Sequence, residues 1–353
     1  MARTSEQCVP ADGAMRARAG FETRPSTVYP GFVPRFPWLG GDLQTLRYYF
    51  FPCSEDLSAW PSRRLSFPLP DGSGDVLVAR LHRPHHATDR PLVILVHGLT
   101  GCEGSSYMFE TTRSFLARGY PVMRLNLRGA GPSRETCRGS YCGGSGDNVA
   151  AVLSALDIEE ARHGVVLIGF SLGGTVTLHC LARHACAVQP ICAVTVSTPL
   201  DLAAVIHRLM RPRNVLYHRW LLGRMKDAVI AGASEITPGQ KAAVLDARSI
   251  REFDDAFTAP HHGFADADDY YARCSATGLL DRIDIPLLLL HARNDPWIPA
   301  DPYVDIGRDT PPNVTLVLTG DGGHVGFHAR HGATPWYNTV IQAYLETLTH
   351  PME

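Results

Sequence analysis

The sequence lacks the features by which a protein crosses a membrane or binds nucleic acid. In 353 residues, no apolar stretch approaches the ~20 residues that a transmembrane helix needs. The formal net charge is only −2, so there is no electrostatic basis for binding nucleic acid, which usually requires a basic face. Residues 1–30 mix Arg, Pro, Gly and Ser without the apolar segment of a signal peptide. We expect them to form a loosely structured extension.

Disulfide, metal and cofactor motifs are also missing. The nine cysteines are scattered, none forms a C-x-x-C pair, and an odd number argues against a complete disulfide framework. Without an export signal, we expect reduced thiols in a cytoplasmic protein. The pairs His261-His262 and His328 with His331 have no cysteine or carboxylate at metal-ligand spacing. The run Gly143-Gly144-Ser145-Gly146 lacks the residues that complete a phosphate-binding loop. We therefore expect no metal ion and no cofactor.

One serine stands between two glycines at a predicted strand-to-helix turn. The segment Gly169-Phe170-Ser171-Leu172-Gly173 follows the apolar run 165–168, which is typical of a short buried strand, and precedes a helical pattern. The two glycines allow the sharp turn that exposes a serine hydroxyl above a sheet. The pattern predicts that Ser171 is a nucleophile. The alternative is that Ser171 only caps the helix that follows it.

A serine hydroxyl needs a base, and a group that orients the base, before it can attack an ester. Asp295 stands in the turn after the apolar strand 286–292, and His324 lies in a glycine-rich loop after the strand 314–318. The order serine, acid, histidine is that of the α/β-hydrolases. We therefore predict Asp295 as the acid and His324 as the base.

Other residues compete for these two roles. Asp321 is a rival acid, but it lies in the same loop as the histidine that it would have to orient. His328 and His331 are rival bases, and we expect both to be exposed helix or loop residues. Asp295 itself could be an ordinary Asp-Pro turn residue.

A second loop is the predicted source of an oxyanion hole. The apolar strand 91–96 runs into His97-Gly98-Leu99-Thr100-Gly101. In α/β-hydrolases this loop donates one backbone N–H to the oxyanion, and the residue after the nucleophile donates the other. We predict the N–H groups of Leu99 and Leu172 as these donors. We interpret His97 as a structural histidine that shapes the loop.

Strands and helices alternate through most of the chain. A hydrophobic content of 45% and a charged content of 19% are typical of a globular protein. The alternation predicts an α/β fold with a mostly parallel, doubly wound sheet, whose site lies at the carboxyl ends of the strands. Residues from about 201 to 280 interrupt this alternation of strands and helices, because they contain helical stretches with interspersed basic residues. We predict a helical lid there, inserted into one domain of residues 31–353; the alternative is ordinary helices with a solvated basic face.

Further motifs extend beyond the serine turn. They are Gly41-Asp42-Leu43-Gln44-Thr45-Leu46 and the segments 125–131, 249–256 and 260–271. Together with His97-Gly98 and the Ser171 turn, these motifs resemble the YheT-like esterases of the α/β-hydrolase superfamily over roughly residues 30–350. One departure is Ala130-Gly131-Pro132, where relatives usually carry a small polar or glycine-rich turn.

The resemblance implies that Ser171, Asp295 and His324 are the charge-relay residues, and that short- to medium-chain carboxylic esters are hydrolysed. We expect no catalytic role for Asp254 or Asp255. We interpret both as capping and polar bridging residues under the lid. The prediction is thus a serine carboxylesterase with an α/β-hydrolase fold, acting on a small-molecule ester. An acyltransferase that uses an alcohol, and a non-catalytic binding protein, are the alternatives. The substrate and the oligomeric state stay open.

Overall fold

The computed structural model describes residues 29–53, 56–86, 88–232, 236–332 and 334–349. The fold is that of the compact unit Phe32–Glu353. The predicted extension, residues 1–30, lies outside the described residues apart from its last two.

An eight-stranded sheet forms the centre of this unit. In chain order the strands are β1 (Ser62–Pro68), β2 (Val76–His82), β3 (Leu92–Val96), β4 (Val122–Leu125), β5 (Val165–Phe170), β6 (Cys192–Val196), β7 (Leu287–Ala292) and β8 (Val314–Thr319). Their spatial order is β1-β2-β4-β3-β5-β6-β7-β8. The pairs β1–β2 and β2–β4 are antiparallel, and all the other pairs are parallel. The predicted mostly parallel sheet is confirmed, and its two antiparallel pairs lie at one edge.

Helices connect and cover these strands. They are α1 (Gly40–Phe50), α2 (Ser106–Leu116), α3 (Gly146–Ser154), α4 (Ile158–Ala161), α5 (Leu172–Arg183), α6 (Leu202–Leu209), α7 (Val215–Ile230), α8 (Pro238–Asp246), α9 (Ile250–Phe253), α10 (Ala259–His261), α11 (Ala267–Cys274), α12 (Asp301–Ile306) and α13 (Trp336–Thr349). Every residue of β3 to β7 is buried. Parallel strands of this kind need cover on both faces, which explains why their sequences are continuous apolar runs rather than alternating ones.

The register of the sheet brings the ends of the central strands together. Val96 of β3 pairs with Gly169 of β5, and Phe170 pairs with Val196 of β6. Val196 pairs in turn with Leu290 of β7. Because these strands are parallel, the loops that follow them leave the sheet at one edge. This edge is where sites form in open α/β sheets.

The segment between β6 and β7 contains helices α6 to α11, and we call it the helical insertion. The predicted lid, residues 201–280, falls within it. Its central turn, Asp254–Thr258, is π-helical. Asp254 is buried there and accepts hydrogen bonds from the hydroxyls of Thr258 (2.6 Å) and Tyr271 (2.7 Å). Asp255 accepts one from the Ala267 N–H at 2.8 Å. These contacts agree with the bridging role expected of both carboxylates.

Cys180 and Cys192 are fully buried in apolar segments, which is typical of free cysteines in a core. Free thiols within the described ranges include Cys102, Cys137, Cys142, Cys180, Cys186, Cys192 and Cys274, whereas Cys8 lies outside those ranges. No helix in the described part of the chain is both long and apolar enough to span a bilayer.

Candidate active site

Ser171 lies at the turn between β5 and α5. Its φ is +50° and its ψ is −128°, a conformation that costs a non-glycine residue about 1–3 kcal/mol. The surrounding glycines make this turn possible, because a Cβ on Gly169 would lie 2.6 Å from the Gly174 Cα. A Cβ on Gly98 would lie 2.9 Å from the Ser171 Cβ. The strand, the helix and the loop after β3 therefore meet directly around the serine, as the sequence predicted.

His324 connects Ser171 to Asp295. The His324 Nε2 lies 3.0 Å from the Ser171 Oγ, and the His324 Nδ1 lies 2.8 Å from the Asp295 Oδ2. Asp295 is fully buried, and its Oδ1 accepts hydrogen bonds from the N–H groups of Trp297 (2.8 Å) and Ile298 (2.9 Å). The structure thus brings the three predicted residues into one hydrogen-bonded chain.

The environment of Asp295 favours its ionised form. Burial alone disfavours a carboxylate, but the charge and the hydrogen bond of His324 outweigh burial and lower the pKa of Asp295 below its usual value. The carboxylate therefore stays negative at neutral pH. In this state it can hold the proton on Nδ1 of the imidazole and leave Nε2 free to accept one.

Several supports of His324 were not identified from the sequence. The His324 N–H donates to the Thr45 Oγ of α1 at 2.8 Å, and the next N–H, of Val325, donates to the Ser197 Oγ at 3.1 Å. The Trp297 ring stacks on the imidazole at a centroid distance of 4.4 Å. Thr45 belongs to a motif that carried the family resemblance, but the contact joins residues 279 positions apart and has no local signal.

The backbone N–H groups of the loop after β3 differ in whether they have a hydrogen-bond acceptor among the described residues. The Gly98 N–H donates to the Tyr107 hydroxyl at 3.0 Å, and the Thr100 N–H donates to the Tyr141 hydroxyl at 2.9 Å. The Leu99 N–H between them donates to no atom of the residues that the structure describes. Leu172 begins α5, where the first N–H groups have no acceptor within the helix. Both predicted donors border the cavity that contains Ser171.

The His97 side chain supports the loop after β3 through its two ring nitrogens. It is fully buried, and burial lowers its pKa to about 4. Its Nε2 accepts a hydrogen bond from the Leu127 N–H at 3.1 Å, while its Nδ1 lies 2.8 Å from the Gly98 carbonyl oxygen. The neutral ring therefore joins the loop to the end of β4. This agrees with a structural histidine.

The structure separates the rival residues from the serine. The Asp321 carboxylate accepts hydrogen bonds from the Asn294 side-chain amide and from the Gly322 N–H. It supports the turn beside Asp295 rather than the His324 ring. His331 is exposed, as expected.

The expectation that His328 is exposed is wrong. Its side chain is 7% exposed, it packs edge-on against the Tyr48 ring, and burial lowers its pKa to about 3. Helix α1 causes this burial: the Gln44 side chain accepts from the His328 N–H at 2.6 Å and donates to its carbonyl oxygen at 3.1 Å. The sequence around His328 contains no sign of a helix nearly 300 residues earlier.

A cavity of about 1280 Å³ opens above Ser171. Its floor contains Ser171 and His324, and its opposite wall comes from the helical insertion. The insertion contributes mainly apolar side chains: Leu202, Val205, Ile206, Leu209, Leu216, Trp220, Leu221, Met225, Val229, Ile250, Phe253 and Phe257. Such a space fits an apolar chain attached to a polar reacting group. Within the described ranges, no three His, Cys, Asp or Glu side chains form a group that could bind a metal ion.

Comparison with known proteins agrees with this geometry. A family profile described as the α/β-hydrolase fold matches residues 91–330. The chain belongs to the α/β-hydrolase family. Among curated relatives of this hydrolase, YheT of Escherichia coli (strain K12), a candidate esterase, is 33% identical over 321 residues. That alignment covers 90% of the hydrolase and 93% of YheT, which confirms the predicted YheT-like membership.

Other relatives are longer proteins. Phospholipase ABHD3 of Mus musculus is 32% identical over 244 residues, and the alignment covers 68% of this hydrolase but 59% of ABHD3. The monoacylglycerol lipase of Saccharomyces cerevisiae is 26% identical, with 73% of this chain and 59% of the lipase covered. This hydrolase therefore spans about three fifths of each.

Solved structures share the fold. The Pyrococcus furiosus esterase Pf2001 superposes with a TM-score of 0.54 at 17% identity, covering 82% of this hydrolase and 90% of the esterase. The 2,6-dihydroxy-pseudo-oxynicotine hydrolase gives a TM-score of 0.56 at 17% identity, with 88% and 72% covered. At this identity, the likeness supports the α/β-hydrolase fold and nothing finer.

Proposed function

We propose that this α/β hydrolase is a serine carboxylesterase that hydrolyses short- to medium-chain carboxylic esters through an acyl-enzyme. The observation that carries the proposal is the hydrogen-bonded chain from Ser171 through His324 to Asp295, at the floor of a largely apolar cavity. The esterase and lipase relatives support the same class of reaction.

In the first half of the proposed reaction, the Ser171 oxygen attacks the ester carbonyl carbon while its proton passes to the His324 Nε2. The Asp295 carboxylate stabilises the imidazolium through Nδ1, and it is itself held by two backbone N–H groups. The N–H groups of Leu99 and Leu172 receive the negative charge on the carbonyl oxygen. Loss of one such donor typically costs about 3–4 kcal/mol of transition-state stabilisation.

In the second half, His324 gives the proton to the leaving alkoxide, which departs as the alcohol. Water then attacks the acyl-enzyme while His324 takes one of its protons; the bond between the acyl carbon and the Ser171 oxygen breaks, His324 returns the proton to that oxygen, and the carboxylic acid is released. No step of this sequence requires a cofactor. The cytoplasmic location expected from the thiols stays a prediction.

The test is a series of p-nitrophenyl esters from acetate to palmitate, measured with the wild type and with Ser171→Ala in parallel. We expect activity with an optimum at one chain length, and its loss by at least about 10⁴-fold in the variant. A variant as active as the wild type would rule out Ser171 as the nucleophile.

The same series separates the two alternatives. If added alcohol diverts the acyl group from the free acid into a new ester, the protein is an acyltransferase. If the wild type turns over no ester and Ser171 does not react with a fluorophosphonate, a binding protein becomes the better interpretation.

A further inference from the structure

Side chains of helices α1 and α7 meet at the edge of the cavity, which both helices line. Asp42 of α1 accepts hydrogen bonds from the Arg213 guanidinium (2.6 Å), just before α7, and from the Tyr217 hydroxyl of α7 (3.0 Å). Farther along the same helices, the rings of Tyr49 and Trp220 are in edge-on contact at 6.3 Å. The two helices therefore present one continuous surface.

This surface has a rim of large apolar side chains that remain in water. The exposed fraction is 77% for Leu216, 64% for Tyr49, 55% for Phe50 and 41% for Trp220. We call these four residues the apolar rim. A cluster of exposed apolar residues is unusual on a soluble surface and marks a contact site. Tyr and Trp are also the residues enriched where proteins meet the interface of a lipid bilayer.

Arginines lie beside the apolar rim on α7. Arg219 follows Leu216 by three positions and Arg224 follows Trp220 by four, so each lies on the same side of the helix as its apolar partner. Both are exposed, as is Arg211 just before the helix, and none of the three forms an ion pair with any residue that the structure describes. Asp227 is the acidic residue exposed on this part of α7, and Arg213 is paired with Asp42. The surface around the rim is therefore net positive.

We propose that the apolar rim and its arginines dock the hydrolase on an anionic lipid surface. The pattern is that of an interfacial helix, with apolar and aromatic residues entering the boundary of the bilayer while cations contact the headgroups. Charge complementarity favours an anionic occupant, because the three exposed arginines have no acidic partner among the described residues. The formal net charge of the whole chain is −2, so the positive surface is local.

The rim is continuous with the cavity. Tyr49, Phe50, Leu216 and Trp220 line the same cavity as Ser171. An ester whose acyl chain lies in the bilayer would therefore pass from lipid to the serine along an apolar path. The proposal rests on the proposed function and deepens it, since it assigns membrane-embedded esters as the substrate class.

Vesicle binding tests this proposal without requiring catalysis. Full-length Ser171→Ala protein is mixed with sucrose-loaded vesicles of phosphatidylcholine alone, or of phosphatidylcholine with phosphatidylglycerol, and the bound fraction is measured by sedimentation. Leu216→Ser is compared with Ile158→Ser, which removes an equally exposed residue (77%) on α4. Thermal unfolding of each variant shows that it is folded.

We expect binding to the anionic vesicles to fall on the order of tenfold in Leu216→Ser and to be unchanged in Ile158→Ser. Arg219→Gln and Arg224→Gln should each weaken it by about fivefold, and salt should weaken it further. Neutral vesicles should bind more weakly and without sensitivity to the arginines.

The proposal is overturned if Ser171→Ala protein does not bind anionic vesicles, or if Ile158→Ser loses as much binding as Leu216→Ser. Sedimentation in the absence of lipid tests a second copy of the chain as the occupant. A dimer that Leu216→Ser dissociates, together with no vesicle binding, would assign the rim to self-association. None of these results depends on ester hydrolysis, which the soluble esters measure separately.

Discussion

The two walls of the cavity differ in how their residues are held. On the sheet side, Ser171, His324 and Asp295 are tied to one another and to backbone groups by hydrogen bonds. On the insertion side, the lining is mainly apolar side chains, several of them exposed at the mouth. The sheet wall has the geometry of a reacting centre, whereas the insertion wall has the composition of a binding surface. The proposed reaction and the proposed choice of substrate therefore fall to separate segments of the chain.

The largest expected effect comes from a substitution in the hydrogen-bonded chain of the sheet wall. Asp295→Asn should lower kcat for a p-nitrophenyl ester by about 10⁴-fold, because the amide no longer holds the productive tautomer of His324. Asp321→Asn is the matched control, since it changes a carboxylate that contacts Asn294 and Gly322 instead. Steady-state kinetics of the two variants measure the contrast. Equal losses would contradict the assignment of Asp295 as the acid.

A second prediction concerns the stability of the insertion wall. Burial raises the pKa of Asp254 to about 7. Between about pH 4 and about pH 7, the native state therefore binds a proton that the unfolded state has released. A raised carboxyl pKa favours the fold at low pH, and this contribution is lost as pH rises from about 4 to about 7. Asp255 and Cys142 add to the rise, whereas the hydroxyls of Thr258 and Tyr271 oppose it.

Asp254→Asn removes this titration. Relative to the variant, the wild type should lose on the order of 4 kcal/mol of unfolding free energy between pH 4 and pH 8. Urea unfolding of both proteins across this range measures the difference, and subtraction cancels the carboxylates that they share. A constant difference across the range would show that Asp254 is ionised throughout.

The smallest expected effect alters the insertion wall alone. Leu202→Trp adds volume to a side chain that lines the cavity at the start of α6. It should lower kcat/KM for the longest ester of the series by about 10- to 200-fold and change that for the acetate little. The ratio of the two kcat/KM values is the measurement. An equal loss of kcat/KM for all chain lengths would place Leu202 in the reacting centre. It would contradict the separation of roles between the two walls.

The sheet wall could be predicted from sequence because its signals are local. Each of Ser171, Asp295 and His324 lies in the turn or loop after an apolar strand, and the carboxyl ends of parallel strands meet at one edge. Three short patterns therefore predicted a hydrogen-bonded chain that spans 153 positions of the sequence. Their catalytic roles stay predictions until the variants are measured.

The parts that sequence reasoning missed depend on distant contacts. The hydroxyls of Tyr107 and Tyr141 occupy two N–H groups of the loop after β3, yet both residues look like ordinary helix and loop residues in the sequence. His328 was expected to be exposed, but Gln44 covers it from α1. Neither contact has a spacing that identifies it, because only the packed fold brings these side chains together.

One link between the walls limits how the insertion can move. The Arg208 guanidinium of α6 donates to the carbonyl oxygen of Asp295 at 2.9 Å, and the Asn214 amide, just before α7, donates to that of Pro296 at 2.9 Å. A hinge at α6 would break these bonds and remove a support of the backbone that carries Asp295. If the entrance to the cavity widens while these two hydrogen bonds stay intact, the hinge must lie beyond Asn214. Helix α7 would then move outward while α6 and Asn214 keep their positions.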